Sequence, residues 1–224
     1  MLGHVKNTLL SFLFTVAVMV LVITLSIGTP IYFRQFYYVH VDALELPEDS
    51  GYTKEEIIEA YDEVLDFLTL EGREFGTGKL MHSEEGKSHF EDCKALFDLN
   101  RNAMIISFAT VILLTILNKI GKIHLYKPFG LRLSFWSSIL TLGGCLALGA
   151  VCAVNFAKAF YIFHSIFFPG KDNWMFDPFE DEIIMVMPEE FFLGCAVLIC
   201  LTLLTLSLFL IIRAIRKKDD DIIG

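Results

Sequence analysis

Apolar residues are gathered into four runs, at about 8–33, 102–118, 133–168 and 191–212, each too long for the core of a small soluble domain. About 20 apolar residues in a helix match the roughly 30 Å hydrocarbon layer of a bilayer. Lipid offers no hydrogen-bond partner to an open backbone, so each run is expected to be helical. Polar and charged residues collect between the runs, chiefly at about 34–101 and 169–190. The pattern predicts an all-α membrane protein, with four transmembrane helices, a helical extracellular cap and a single integral membrane domain over residues 1–224.

The longer polar segment has helical periodicity of its own. Thr53-Lys-Glu-Glu56 reads as a capping box, followed by Ile57, Ile58, Tyr61, Val64, Leu65 and Leu68 at helical spacing. A Gly-rich interval, Gly72 to Gly78, separates this helix from a second one over Glu84 to Asp98. At 100° per residue His89, Cys93 and Leu96 fall within about 40° of one another, with Phe90 and Phe97 beside them and Asp92 on the other flank. A straight helix would hold His89 roughly 18 Å above Arg101, so a bend is expected near Asn100-Arg101-Asn102 to bring the imidazole to the membrane interface. The third run is read as one helix, with Lys158 snorkelling and His164 about 9 Å beyond it in the headgroup layer. Phe160, Tyr161, Phe163, Phe167 and Phe168 form an interfacial girdle around it. After Pro169-Gly170 the chain is expected to fold back. Asp177-Pro178-Phe-Glu180 then starts a short helix carrying Phe179, Ile183, Ile184 and Val186, before Pro188-Glu-Glu opens the last span.

Charge orients these elements. No Asp or Glu precedes Asp42, none lies between Asp98 and Asp172, and none lies between Glu190 and Asp219. Lys6, then Lys119, Lys122, Lys127 and Arg132, then Arg213, Arg216, Lys217 and Lys218 mark the other side. Basic short loops stay inside, so both termini are expected in the cytoplasm and both acidic segments outside a cell membrane crossed several times. The formal charge of −9 is thus an outer-face property and implies no nucleic-acid partner. The first run exceeds a signal-peptide core of about 7–15 residues and lacks a small-residue cleavage site, so it is expected to remain as a helix. Of five cysteines only Cys93 lies outside the apolar runs, which argues against a disulfide framework. There is no zinc spacing and no Gly-rich phosphate loop, so no metal or cofactor is expected.

Two histidines, His89 and His164, are therefore expected at lipid-ester depth on the outer side, with Trp174 in the acidic loop after the third run. Taken singly, each histidine is more commonly an interfacial residue, Trp174 an anchor and Lys158 a snorkelling side chain. Two rival classes fit the pattern less well. A non-catalytic sensor or scaffold would use the outer segment to bind a partner. A transporter would need polar groups near the bilayer midplane, where these spans carry few.

The order of spans and two segments carry a family resemblance. Ser83-Glu-Glu-Gly-Lys-Ser-His89-Phe-Glu-Asp92-Cys-Lys94 is one; Phe163-His164-Ser-Ile-Phe-Phe with Trp174-Met-Phe-Asp-Pro178, Asp181-Glu-Ile-Ile and Pro188-Glu-Glu-Phe-Phe192 is the other. They resemble the bacterial lipoprotein intramolecular transacylases, the Lit family, over nearly the whole chain. That family writes His, apolar, any, Asp, Val, Lys in the first segment; Phe90 takes the apolar place and Cys93 replaces the Val. The resemblance implies an acyl transfer within one diacylated lipoprotein. The sn-2 chain of the S-diacylglyceryl cysteine moves to that cysteine's own α-amino group and leaves a lyso-form lipoprotein.

Such chemistry asks for a proton acceptor near neutral pH, because an α-ammonium of pKa roughly 7.7–8.0 must lose a proton before attack. Histidine titrates in that range. Donor and acceptor already share one molecule, so proximity supplies much of the acceleration and no enzyme nucleophile is required. The expected catalytic residues are His89, taking the amine proton, and His164, stabilising the oxyanion or returning a proton to the glycerol oxygen. Asp92 or Asp181 would orient an imidazole, and Trp174, Lys158 and Tyr161 would contact the substrate. The partners implied are the lipoprotein and membrane lipid.

Overall fold

The computed structural model describes residues 2–223, and the side chains of these except residues 2, 151 and 217–223. Lys217 and Lys218, which enter the charge argument, have side chains outside the described residues. All regular structure among the described residues is helical: α1 (Leu2–Tyr32), α2 (Gln35–Ala43), α3 (Leu46–Ser50), α4 (Lys54–Thr69), α5 (Glu84–Lys119), α6 (Leu133–Val154), α7 (Phe156–Phe167), α8 (Ile183–Val186) and α9 (Glu189–Ile223), with a 3₁₀ turn at Pro128–Gly130. Among the described residues four stretches are long and apolar enough to cross a bilayer, Gly3–Tyr32, Glu84–Lys119, Leu133–Val154 and Glu189–Arg216. The chain divides into two compact units. One comprises Met1–Gly28, Asn100–Ala150 and Leu198–Gly224, the other Thr29–Leu99 and Val151–Val197.

The first unit is built from the apolar helix segments. Its small core has Val18, Val22 and Leu203, joined by Phe14, Val111, Leu142 and Leu206. Small polar residues complete the contacts: the Ser137 hydroxyl donates to Thr15 O at 3.1 Å, and Asn100 Nδ2 donates to Thr24 O at 3.3 Å. Close approach of helices through Ser, Ala and Gly is the packing mode of membrane bundles, where lipid gives no drive to bury leucine. The basic loop after α5 returns to the start of α1. His124 N donates to Asn7 Oδ1 at 3.2 Å and Tyr126 N to the Ser11 hydroxyl at 3.0 Å.

The second unit packs around α4. Thr53 and Glu56 form the expected capping box, and Ile57, Tyr61, Val64, Leu65 and Leu68 are buried on one face. The stripe meets Tyr37, Val41, Leu46, Leu80, Phe90, Ile183, Val186 and Phe191. Tyr37 lies flat on Tyr61, with centroids 3.7 Å apart, and its hydroxyl donates to Val186 O at 2.6 Å. Arg34 reaches back from the end of α1 to Asp62, at 2.9 Å, and to Asp66, which ties the entry of the unit to the outer face of α4. Helices α2 and α3 were not visible as periodicity, because they are short and take their burial from α4.

Three sequence expectations are corrected. Helix α5 runs without interruption through Asn100, Arg101 and Asn102, so no break occurs where a bend was expected. The third apolar run is not one helix, because Asn155, with extended backbone, ends α6 and caps α7 by accepting from Lys158 N at 2.8 Å. Asp177 does not start a helix at Pro178. It forms a local turn, Phe179 N donating to its own Oδ1 at 3.0 Å, and the helix is the single turn α8. Phe179 is exposed and takes no part in a cap.

Candidate active site

The site lies wholly in the second unit and starts with the cap of α5. Ser83 is held from both sides of its own residue: its N–H donates to Asp181 Oδ1 and its hydroxyl to Asp181 Oδ2, both at 2.8 Å. The same hydroxyl accepts from Gly86 N at 2.9 Å, which satisfies one open donor of the first turn. A Cβ on Gly86 would stand 2.0 Å from Asp181 Oδ1, so this approach requires glycine. Next to it Glu182 accepts from Met81 N at 2.7 Å and returns its own N–H to Met81 O at 3.1 Å. Segment 181–182 is thereby laced to the start of α5, and His89 sits one and a half turns further on.

His164 approaches from α7. The two imidazole centroids are 5.8 Å apart, and both residues are buried, His89 at 6% exposure and His164 at 7%. The walls are aromatic. Phe168 and Phe176 stand edge-on to His89 at 4.9 and 5.5 Å, while Trp174 stacks on His164 at 4.5 Å and Phe160 packs on it at 4.3 Å. The pair meets with α5 continuous through Asn100 and with α7 a helix of its own.

Hydrogen bonds distinguish the two rings. His164 Nδ1 lies 2.8 Å from Phe160 O, and a carbonyl can only accept, so in the neutral ring Nδ1 carries the proton and Nε2 the lone pair. His89 Nε2 lies 3.4 Å from Cys93 Sγ, while His89 Nδ1 is buried with no partner among the described residues. His89 precedes the apolar stretch of α5, and burial, reinforced by His164, pushes its pKa down to about 4. It is a neutral imidazole near pH 7. The sequence reading gave the base role to His89; His164, with Nδ1 on a carbonyl, presents a lone pair at Nε2, and the Cys93 contact leaves the His89 tautomer open.

The remaining expected residues fall unevenly. Asp92 is held by Lys171 Nζ at 2.6 Å and Asn173 Nδ2 at 3.3 Å, rather than by an imidazole, and the Lys171 ammonium holds its carboxyl below the usual range. Asp181, expected beside a histidine, caps α5 through Ser83 instead. Trp174 is in the pocket, and its Nε1 donates to Lys171 O at 3.1 Å. Tyr161 stands edge-on to Trp174 at 5.5 Å and is exposed. Lys158 is exposed in the first turn of α7, away from the described contacts of the pair. Phe168 was expected only as part of the interfacial girdle, and Phe176, Lys171 and Asn173 were given no role in the sequence. The contact of Cys93 was foreshadowed by its position four residues after His89. No cluster of three or more metal-ligating side chains occurs among the described residues.

These features define a multi-pass helical membrane protein with a buried imidazole pair among aromatic rings. A family model described as lipoprotein intramolecular transacylase Lit matches residues 12–192, and the chain belongs to that family, a family of transferases. The solved structure of the membrane-integral lipoprotein intramolecular transacylase Lit from Bacillus cereus is similar, with 27% identity, a TM-score of 0.87 and 98% of each chain covered. Two variants of that protein, carrying a histidine-to-arginine or a histidine-to-alanine mutation, align with TM-scores of 0.80 and 0.79 at the same identity. They cover 98% and 97% of this chain and 96% of their own. No curated protein sequence matches.

Proposed function

We propose that the protein moves the sn-2 acyl chain of an S-diacylglyceryl lipoprotein onto the α-amino group of the same N-terminal cysteine, using His89 and His164. The observation that carries this reading is the meeting of two buried imidazoles, centroids 5.8 Å apart, with opposite free nitrogens. His164 Nε2 accepts a proton from the amine as its nitrogen attacks the sn-2 carbonyl carbon. The carbonyl π electrons move to oxygen, and His89 Nδ1–H donates a hydrogen bond to that oxyanion. On collapse the carbon–oxygen bond to the glycerol breaks, and the proton on His164 passes to the departing oxygen. The products are an amide and a free glycerol hydroxyl. Phe168, Phe176 and Trp174 exclude water, which disfavours hydrolysis of the ester, and Trp174 with Tyr161 faces the acyl chains.

Mass spectrometry of a lipoprotein's N-terminal peptide tests the reading in cells with and without the protein. The parent converts diacyl to lyso form. His89→Ala and His164→Ala each lower the rate by about 10²-fold or more, and the double variant is hardly worse than the stronger single, as for groups acting as a unit. Parent-like conversion by both single variants would remove the two-histidine mechanism. Loss of conversion in neither variant, with the lipoprotein unchanged by the protein itself, would favour the sensor alternative.

We place both termini in the cytoplasm and the histidine pair at the outer leaflet, because Lys119, Lys122, Lys127 and Arg132 crowd one short loop while Asp and Glu fill the segments around His89 and Trp174. In intact cells an impermeant thiol reagent labels exposed Glu59→Cys but reaches Lys122→Cys only after lysis. The opposite pattern inverts the topology.

A further inference from the structure

Two buried polar atoms of the second unit have no partner among the described residues, His89 Nδ1 and Asn173 Oδ1. The first has a task in the reaction as drawn; the second has none. Asn173 lies beside the imidazole pair. Its neighbour Trp174 stacks on His164, and its own Nδ2 donates at 3.3 Å to Asp92, less than one turn of α5 from His89. The amide can face only one way. Asp92 receives the Lys171 ammonium on both oxygens at 2.6 Å, so it is a carboxylate and only accepts. Turning the amide over would set Oδ1 against that carboxylate, acceptor against acceptor. The NH₂ group therefore stays on Asp92, and the atom left over is a carbonyl oxygen that lacks a donor.

The reaction brings one more donor than the histidines can take. A neutral primary amine has two N–H groups and a lone pair. The lone pair must point at the sn-2 carbonyl carbon, and one N–H passes its proton to His164 Nε2. The second N–H survives as the N–H of the product amide, and in a buried site it needs an acceptor throughout. We propose that Asn173 Oδ1 binds this second N–H, so that His164 and Asn173 together hold the substrate's α-amine with its lone pair aimed at the ester. The inference rests on the catalytic reading above, in which the amine proton goes to His164. It makes Asn173 a substrate-binding residue that selects a free primary amine. A neutral amide suits this task better than a carboxylate would. A carboxylate in direct contact favours the ammonium form, which has no lone pair. The Lys171–Asp92 pair balances its own charge and holds the amide by one hydrogen bond.

The experiment gives the purified protein in detergent two synthetic diacylated lipopeptides, one with a free α-amine and one N-methylated there, and follows N-acylation by tandem mass spectrometry. The methylated amine has a single N–H, which goes to His164, and none is left for Asn173. The parent should convert it about tenfold more slowly than the primary amine. Asn173→Leu removes the acceptor at similar volume. It should slow the primary amine about fivefold to tenfold, yet convert the methylated one at nearly the parent's rate for that substrate. Asn173→Ala gives the same comparison if leucine is not accepted. Equal penalties for methylation in parent and variant overturn the proposal, because a residue that acts only through folding or through Asp92 slows both substrates alike. Parent conversion of the two peptides at one rate overturns it as well. Failure of the catalytic reading is seen separately, as parent-like rates in both His89→Ala and His164→Ala, whatever the ratio between the two peptides.

Discussion

The two units of the molecule invert one another. In the first, Ser26, Ser137 and Ser207 have no exposure, while Leu146, Leu148 and Phe12 are exposed by about 70% (72%, 70% and 69%). In the second, Tyr37, Ile57, Ile183, Val41, Val64 and Val186 are among the fully buried side chains, with Thr77 beside them, and charged groups such as Glu85 and Glu91 lie outside. The contrast follows from the solvent each surface is matched to. Lipid is as apolar as leucine, so helices in it associate through small residues and hydrogen bonds. A unit that packs leucine, isoleucine and tyrosine inward draws on the ordinary hydrophobic effect, worth about 25 cal/mol per Å² buried. Acyl transfer between two groups of one substrate needs a rigid, dry pocket, and every residue of the candidate site lies in the second unit.

The largest test of this contrast replaces one large side chain in each unit. Ile57, fully buried, should cost about 2–5 kcal/mol as Ile57→Ala, the range for a cavity in a packed core. Leu146→Ala, at a lipid-facing site, should change stability by less than about 0.5 kcal/mol. Unfolding in one detergent, followed by loss of secondary structure, compares them. Equal costs would break the distinction, since both units would then be stabilised in the same way.

Acid should act through the second unit as well. The His89 pKa is depressed in the fold to about 4 from the ordinary 6.5, first by burial and then by His164, with Lys171 adding and Asp92 opposing. A depressed histidine binds protons more readily when unfolded, so its contribution is complete above about pH 6.5 and is lost as pH falls towards 4. The full effect is on the order of 3 kcal/mol. Comparing the parent with His89→Gln between pH 7 and pH 5 separates it from the carboxylates. The parent should lose more stability. Parallel curves would mean that the imidazole is not held neutral.

Much of this division was legible in the chain because it rests on local pattern. The Thr53–Glu56 box, the buried stripe from Ile57 to Leu68 and three of the four apolar runs are local patterns that the structure repeats, while the third run is divided at Asn155. The pairing of His89 with His164 followed from family resemblance and depth. What was misread depends on partners far along the chain. Asp181 resembles an orienting carboxylate until Ser83 is seen to occupy both its oxygens. Asp177-Pro178 has the residues of a helix start, but the single turn α8 forms later, where Ile183 and Val186 can be buried. Asn155 was the one break with a local signal: a good N-cap residue inside an apolar run marks a helix start. The bend in α5 was inferred only to lower His89, and the structure shows α5 as one continuous helix through Asn100.

The smallest effect concerns how the segment after α7 is held on α5. Lys171 pairs with Asp92 at 2.6 Å, but its side chain is 47% exposed and that of Asp92 25%. An ion pair so open to water contributes about 0–1 kcal/mol, and salt weakens it. Lys171→Met should therefore lower stability by less than about 1 kcal/mol, and the difference should fade in high salt. The bonds that Ser83 donates to Asp181 and Met81 donates to Glu182 keep the segment in place without it. One further consequence has a definite sign. Removing the ammonium leaves Asp92 uncompensated near His89, which favours imidazolium and raises its pKa in the fold, so the acid loss attributed to His89 should level off at slightly higher pH and be smaller in this variant. A cost of several kcal/mol would show instead that the ion pair anchors the segment. The division of labour between the bonds to Asp181 and Glu182 and the surface pair would then have to be reversed.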